Sequence, residues 1–159
     1  KKLFGGEEKE EKIIAAPVSG TAIPMGQVSD PTFSQEILGK GTAVIPSDGR
    51  VVAPADGLVT MVFDTKHAIS MQTDNGAELI IHIGLDTVQL KGQYFEAHVA
   101  AGDKVKQGDL LLDFEIDKIK EAGYDVTTPV IICNTPQFPK MECRNGMEVK
   151  AGETAIIKL

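Results

Sequence analysis

Residues 65–87 read "TKHAISMQTDNGAELIIHIGLDT", two largely apolar runs that each carry a histidine and are divided by one turn signal. Asn-Gly between such runs is the strongest short-range mark of a β-hairpin, because a two-residue type I′ loop needs φ > 0 at both central positions. With Asn75 and Gly76 as that loop, Asp74 opposes Ala77 and opposed residue numbers sum to 151. His67 then faces Gly84, and His82 faces Ile69. Side chains alternate along a strand, so Thr65, His67, His82 and Gly84 share one face. The two imidazoles become diagonal neighbours, about 7–8 Å apart at Cα. A three-residue loop would shift the register by one and send the rings to opposite faces.

The rest of the chain has the same grammar. From Ile13 onward, short runs alternate with Gly-, Pro- and Asp-rich corners. The strands expected are 13–16, 20–24, 42–46, 50–53, 58–63, 68–72, 78–83, 95–97, 110–115, 130–133 and 155–158. Two short helices fit between them. Asp30 caps one that starts at Pro31 and ends at Gly39, and Asp117 caps "KIKEAG", ended by Gly123. The fold class is all-β, an antiparallel sandwich or partly closed barrel with one or two short helices. "AAPVSGTAI" at 15–23 is echoed by "VAPADGLVT" at 52–60, a strand, a Pro-led corner and a second strand. Lys1–Lys12, "KKLFGGEEKEEK", is expected to be a flexible tail or linker remnant, with the folded domain spanning 13–159. The chain opens on Lys rather than Met, as a piece of a longer protein would.

Composition narrows the function. Across 159 residues, 42% are hydrophobic, enough for a core without disulfides or a structural metal. The net charge of −7 repels phosphate backbones, and aromatic residues, at 5%, are too few for base stacking. Nucleic-acid binding is therefore not expected. No apolar run approaches the ~18 residues of a membrane span, and no signal-peptide core stands out. Cys133 and Cys143 form no CxxC pattern and read as free thiols in a reducing cytoplasm.

Two imidazoles on one face allow three chemistries: satisfied core histidines, a zinc site with Asp86 as a third ligand, or reaction at a ring nitrogen. No HxH, HExxH or cysteine pair supports a permanent zinc ion. A neutral imidazole nitrogen is a good nucleophile and takes a phosphoryl group when its other nitrogen is tied to a fixed acceptor. A second imidazole can donate to the phosphoryl oxygens where charge builds up. Thr65 can hold the His67 ring in one tautomer, by accepting or donating. Gly84, lacking a side chain, leaves room for a docking partner. Ile81 and Ile83 point to the core and stiffen the strand that aims His82.

These motifs closely resemble the glucose-type IIA domains of the bacterial phosphoenolpyruvate-dependent sugar phosphotransferase system. The likeness runs over Ile13–Leu159 and includes "APVSG", "PTFSQEILGKGTAVIPSDG", "VVAPADG", "AAGDKVKQGDLLLDFEID" and "TPVIICN". It implies an antiparallel β-sandwich in which His82 accepts the phosphoryl group on Nε2 and His67 stabilises it. It also implies that Thr65 hydrogen-bonds His67 and that Asp86 has a supporting place. The donor would be the phosphohistidine of HPr and the acceptor a cysteine of a IIB domain, which serves a membrane IIC permease. No cofactor is implied. Phe33, Ile37, Leu38, Phe63 and Val88 match positions lining the docking rim. One departure is Gly39-Lys40-Gly41, where the family commonly has Gly-Asp-Gly. The lysine changes charge near the partner surface and leaves the histidine chemistry untouched.

Three other readings compete. A lipoyl or biotinyl carrier would modify Lys118 at a hairpin tip, but the required tripeptide is missing. A zinc peptidase of the LytM type would need an HxH where His98 stands alone. A regulatory module of sugar uptake could use the His pair with a partner carboxylate as a transient zinc site.

Overall fold

Along 78–82, Leu79 and Ile81 are buried while Ile80 and His82 are half-buried, the alternation of a sheet with one face on the core. In the computed structural model, which describes residues 12–159, the regular structure is almost wholly strand. In chain order the elements are β1 (Ile13–Ala15), β2 (Gly20–Pro24), α1 (Pro31–Ser34), β3 (Lys40–Pro46), β4 (Arg50–Val52), β5 (Gly57–Val62), β6 (Ala68–Thr73) and β7 (Glu78–His82). There follow β8 (Phe95–Ala97), β9 (Lys104–Val105), β10 (Leu110–Phe114), α2 (Ile116–Glu121), β11 (Thr128–Ile132), β12 (Glu142–Cys143), β13 (Glu148–Val149) and β14 (Ala155–Lys158).

Eight strands form the main sheet in the order β13-β2-β3-β11-β7-β6-β5-β9, and two three-stranded sheets, β1-β14-β12 and β4-β10-β8, complete the structure. Every pairing is antiparallel. The core gathers Val59, Ile69, Met71, Leu79, Ile81 and Ile83 with Ile14, Leu111, Leu112 and Ile156. Burying each such aliphatic side chain contributes about 1.5–3 kcal/mol. The two residues flanking His82 are thus anchored from below. On the opposite face of the main sheet a smaller cluster holds Met25, Val28, Phe33, Ala43, Leu85 and Ile131. Phe33 of α1 is the member that reaches the His82 ring, with ring centroids 4.8 Å apart.

The sequence echo has a structural counterpart. The Ala15 amide donates to the Pro54 carbonyl and the Val52 amide to that of Pro17, both within 2.9 Å. These residues exchange places under the offset of the repeat, so the two Pro-led corners hold each other about a local two-fold.

Several expectations change. The central hairpin does not turn on two residues. Ala68 opposes His82 and Ile69 opposes Ile81, so the register is one residue short of that expected. Thr73 and Ala77 close a three-residue loop, in which the Thr73 amide donates to the Ala77 carbonyl. Thr73 Oγ1 also donates to the Asn75 side chain and accepts from the Ala77 amide. Only Gly76 of the loop takes positive φ, at 99°. The Thr73 hydroxyl supplies bonds that a type I′ turn does not offer, which is why the longer loop prevails. Helix α1 starts at Pro31 under an Asp30 cap, which accepts from the Thr32 amide at 2.9 Å, but it ends at Ser34 rather than at Gly39. Glu115, not Asp117, is the cap residue of α2, and Asp117 lies in its first turn. The two-residue strands β9, β12 and β13 were not anticipated; they lack the length for a periodic signal. The expected tail falls outside the described residues except for Lys12, whose carbonyl accepts from the Leu159 amide at 2.8 Å. Lys118 lies within α2 rather than at a hairpin tip, so the carrier reading has no structural basis. Cys133 and Cys143 are free and exposed.

Candidate functional site

His82 ends β7 and projects from the face opposite the core. Its Nδ1 donates to the carbonyl of Gly84 at 2.7 Å. A carbonyl oxygen only accepts, so this bond puts the proton of the neutral ring on Nδ1 and leaves a lone pair on Nε2. The acceptor is held by backbone geometry. Gly84 has φ of 81°, a region that costs other residues strain. A β-carbon there would also stand 2.5 Å from Thr87 Cγ2 and 2.9 Å from the Asp125 carbonyl oxygen. Glycine at 84 therefore answers an internal need of the turn that aims His82, whereas sequence reasoning gave it the task of making room for a partner. Thr87 contributes in turn, its hydroxyl donating to the Ile83 carbonyl at 2.5 Å.

His67 precedes the first ladder residue of β6. The chain arrives through a turn in which the Lys66 amide donates to the Phe63 carbonyl at 2.7 Å, with Lys66 at φ of 61°. His67 lies at the resulting bend, where strand alternation no longer governs its side chain. The rings meet in spite of the three-residue loop. Their centroids are 4.9 Å apart and their planes 81° from parallel. The expectation that the histidines adjoin is met, by a different route from the one the hairpin register offered. Thr65 Oγ1 lies 2.6 Å from His67 Nδ1, so Nε2 is the free nitrogen of this ring as well.

Phe33 and Phe63 complete a row of four rings, with Phe63 5.5 Å from His67 in edge contact. Phe33 is buried and Phe63 half-buried, so the row forms a floor rather than a rim. Ile37, Leu38 and Val88 are exposed by 67%, 42% and 44%, large values for aliphatic side chains.

Both imidazoles are held neutral. Burial lowers the His67 pKa to about 4, and repulsion from a charged His82 adds to the effect. Burial also lowers the His82 pKa, opposed by the Gly84 hydrogen bond and by the charges of Asp30 and Asp86. Asp86 is exposed, at φ of 60°, and acts on His82 through its charge. It does not gather with the two histidines as a third metal ligand; among the described residues the one trio of such atoms lies elsewhere, at Glu96, His98 and Asp113. Asp30, read from sequence only as a helix cap, acts on His82 ahead of Asp86. Its place beside the imidazole depends on α1 packing over the sheet, which no local pattern discloses.

This site can hold a group on His82 Nε2 while the neighbouring ring presents its own Nε2 beside it. Comparison with known proteins points to the same chemistry. Residues 12–138 match the family model described as phosphoenolpyruvate-dependent sugar phosphotransferase system, EIIA 1. The chain is 46% identical to the glucose-specific EIIA component of Halalkalibacterium halodurans, over all of this chain and 96% of that one. It is 47% identical to the beta-glucoside-specific EIIBCA component of the same organism, where 94% of this chain covers only 23% of the relative. The solved structure of glucose permease IIA from Mycoplasma capricolum superposes with a TM-score of 0.84 at 34% identity, over 94% of this chain and 96% of that chain.

Proposed function

Because the chain belongs to the EIIA 1 family of the phosphoenolpyruvate-dependent sugar phosphotransferase system, we propose that His82 Nε2 is the atom that bears its phosphoryl group. The family role is that of a phosphocarrier in sugar uptake, acting through histidine. The observation that supports His82 over His67 is the 2.7 Å bond from its Nδ1 to the Gly84 carbonyl. It fixes the nucleophilic tautomer on the more exposed of the two rings. His67 is buried, at 5% exposure, and acts as the neighbour.

Phosphoryl transfer then requires little rearrangement. The donor is the phosphohistidine of HPr. Its P–N bond breaks as the lone pair of His82 Nε2 forms a new one in line. The donor ring leaves neutral, and the His82 ring becomes cationic with its proton still on Nδ1 and donated to the Gly84 carbonyl. That bond strengthens as the ring gains charge. Asp30 and Asp86 offset the new positive charge on the ring, and His67 Nε2–H donates to a phosphoryl oxygen. A cysteine thiolate of a IIB domain next attacks phosphorus, forming an S–P bond and returning His82 to its neutral state. Relatives that carry the matching segment within an EIIBCA chain support a IIB partner. Ile37, Leu38 and Val88 supply the apolar contact for both partners, and residues 13–159 act as the IIA unit on the cytoplasmic side of the membrane. No helix among the described residues is long and apolar enough to cross a membrane.

The test is labelling by phosphoenolpyruvate with the two general phosphotransferase proteins. His82→Gln is expected to lose the acid-labile label. His67→Gln keeps it but transfers it onward about 10²–10³-fold more slowly, the usual loss for one transition-state donor. A labelled His82→Gln protein would refute the assignment.

A further inference from the structure

His98 stands alone in the sequence but not in the fold. Strand β8 pairs with β10 so that Glu96 opposes Asp113 and Ala97 opposes Leu112. Alternation brings Glu96, His98 and Asp113 to one face of that sheet. His98 Nε2 lies 2.7 Å from Asp113 Oδ2, and one ligand atom from each of the three residues falls within 4.8 Å of the others. On the reverse face the rings of Phe95 and Phe114, also directly opposed, stack with centroids 6.4 Å apart and are buried. The two backbones carrying the polar trio are thus locked together from beneath.

Among the described residues, no lysine or arginine lies within ion-pair distance of the two carboxylates. Arg50 opposes Asp113 from β4. Yet the ion pairs within 4 Å among the described residues are only His98–Asp113 and Lys150–Glu153. The Glu96 carboxylate has neither a hydrogen bond nor an ion pair among the described residues. Glu96 and Asp113 also line a cleft of ≈ 170 Å³ with Tyr94 and Glu115. Two carboxylates therefore converge on one imidazole beside an opening that admits solvent.

We propose that Glu96, His98 and Asp113 form a surface site for a zinc-class divalent cation that ties β8 to β10. One imidazole nitrogen and two carboxylate oxygens suit zinc, whereas magnesium and calcium favour oxygen ligands throughout. With ligand bonds of about 2.0–2.2 Å, a tetrahedral ion separates its ligand atoms by roughly 3.3 Å. Opening the His98–Asp113 pair by about half an ångström, within reach of exposed side chains, admits the ion between Nε2 and Oδ2. The ring proton moves to Nδ1, Glu96 supplies the third bond, and water the fourth. The site lies on a different sheet from the His67–His82 pair and does not depend on the role proposed for that pair.

Zinc chloride titrated by calorimetry into the full chain carrying His67→Gln and His82→Gln, in excess magnesium, tests this. One equivalent is expected to bind at micromolar concentration. Adding His98→Ala is expected to weaken binding about tenfold or more, and Glu96→Gln to weaken it as well. In the unsubstituted chain the same ion is expected to shift the ring resonances of His98, a readout independent of the double variant. No heat in the double variant together with an unmoved His98 ring, binding that survives His98→Ala unchanged, or displacement by magnesium would overturn the proposal.

Discussion

The carbonyl of Gly84 accepts from Nδ1 of His82 at 2.7 Å, across only one intervening residue, Ile83, whose side chain is fully buried. The reactive ring and the group that sets its tautomer therefore sit on one short, anchored piece of backbone. Any change that alters the path from 82 to 84 acts on the chemistry without touching an imidazole.

Gly84→Ala tests that link. The left-handed φ and the approach to Thr87 and Asp125 make even one methyl costly. A loss of roughly 2–3 kcal/mol is expected in denaturant unfolding, from backbone strain and overpacking together. In the folded fraction, phosphoryl acceptance is expected to fall as well. Unchanged stability would mean that the turn relaxes freely.

Thr65→Val keeps the shape of the side chain and removes the hydroxyl 2.6 Å from His67 Nδ1. Labelling of His82 is expected to persist, while onward transfer drops about tenfold, the equivalent of one hydrogen bond of about 1.4 kcal/mol. Thr65→Ser should restore it. Nitrogen-15 spectra of His67 are expected to show a single fixed tautomer in the parent and a mixture in the valine variant.

The pH response follows from both rings being held below the ordinary histidine value, His67 at about 4. Well above about pH 6.5 neither the folded nor the unfolded rings bind protons, and these two residues leave stability independent of pH. As pH falls below 6.5 the unfolded chain takes up protons that the folded rings refuse. Stability therefore drops as pH falls toward 4, with a slope of up to about 1.4 kcal/mol per pH unit for each ring. Proton NMR titration and urea unfolding between about pH 4 and about pH 8 check this. His67 titrating near 6.5 would contradict the burial argument.

How much of this was legible in the residues depends on the range of the interaction. The all-β class, most strand positions and the Asp30-Pro31 helix start follow from local signals. The pairing of His67 with His82 was also reached, but from a register wrong by one. The Thr73 hydroxyl selected a loop that Asn75-Gly76 alone does not specify, and the bend through Lys66 then restored the contact. Asp30 is the helix cap the sequence indicated, but its action on His82, like the contact of His98 with Asp113, was not foreseen, and for one reason. Their partners, His82 and Asp113, are brought to them by packing and strand pairing, and neither leaves a mark in nearby sequence.

The exposed aliphatic group makes a separate claim. Ile37→Ser, Leu38→Ser and Val88→Ser remove apolar contact area from positions that are largely open to solvent. Thermal midpoints are expected to move by no more than the equivalent of about 0.5 kcal/mol. Affinity for HPr or a IIB domain is expected to fall by about tenfold for at least one of the three, as hot-spot contacts do. Equal affinity across all three would remove this surface from docking.

Phosphorus-31 and nitrogen-15 correlation on the phosphorylated protein addresses the assignment most directly. Coupling between phosphorus and Nε2 of His82 is expected, with the Nδ1 proton retained and still hydrogen-bonded to Gly84. Phosphorus coupled to Nδ1 of His82, or to either nitrogen of His67, would contradict it.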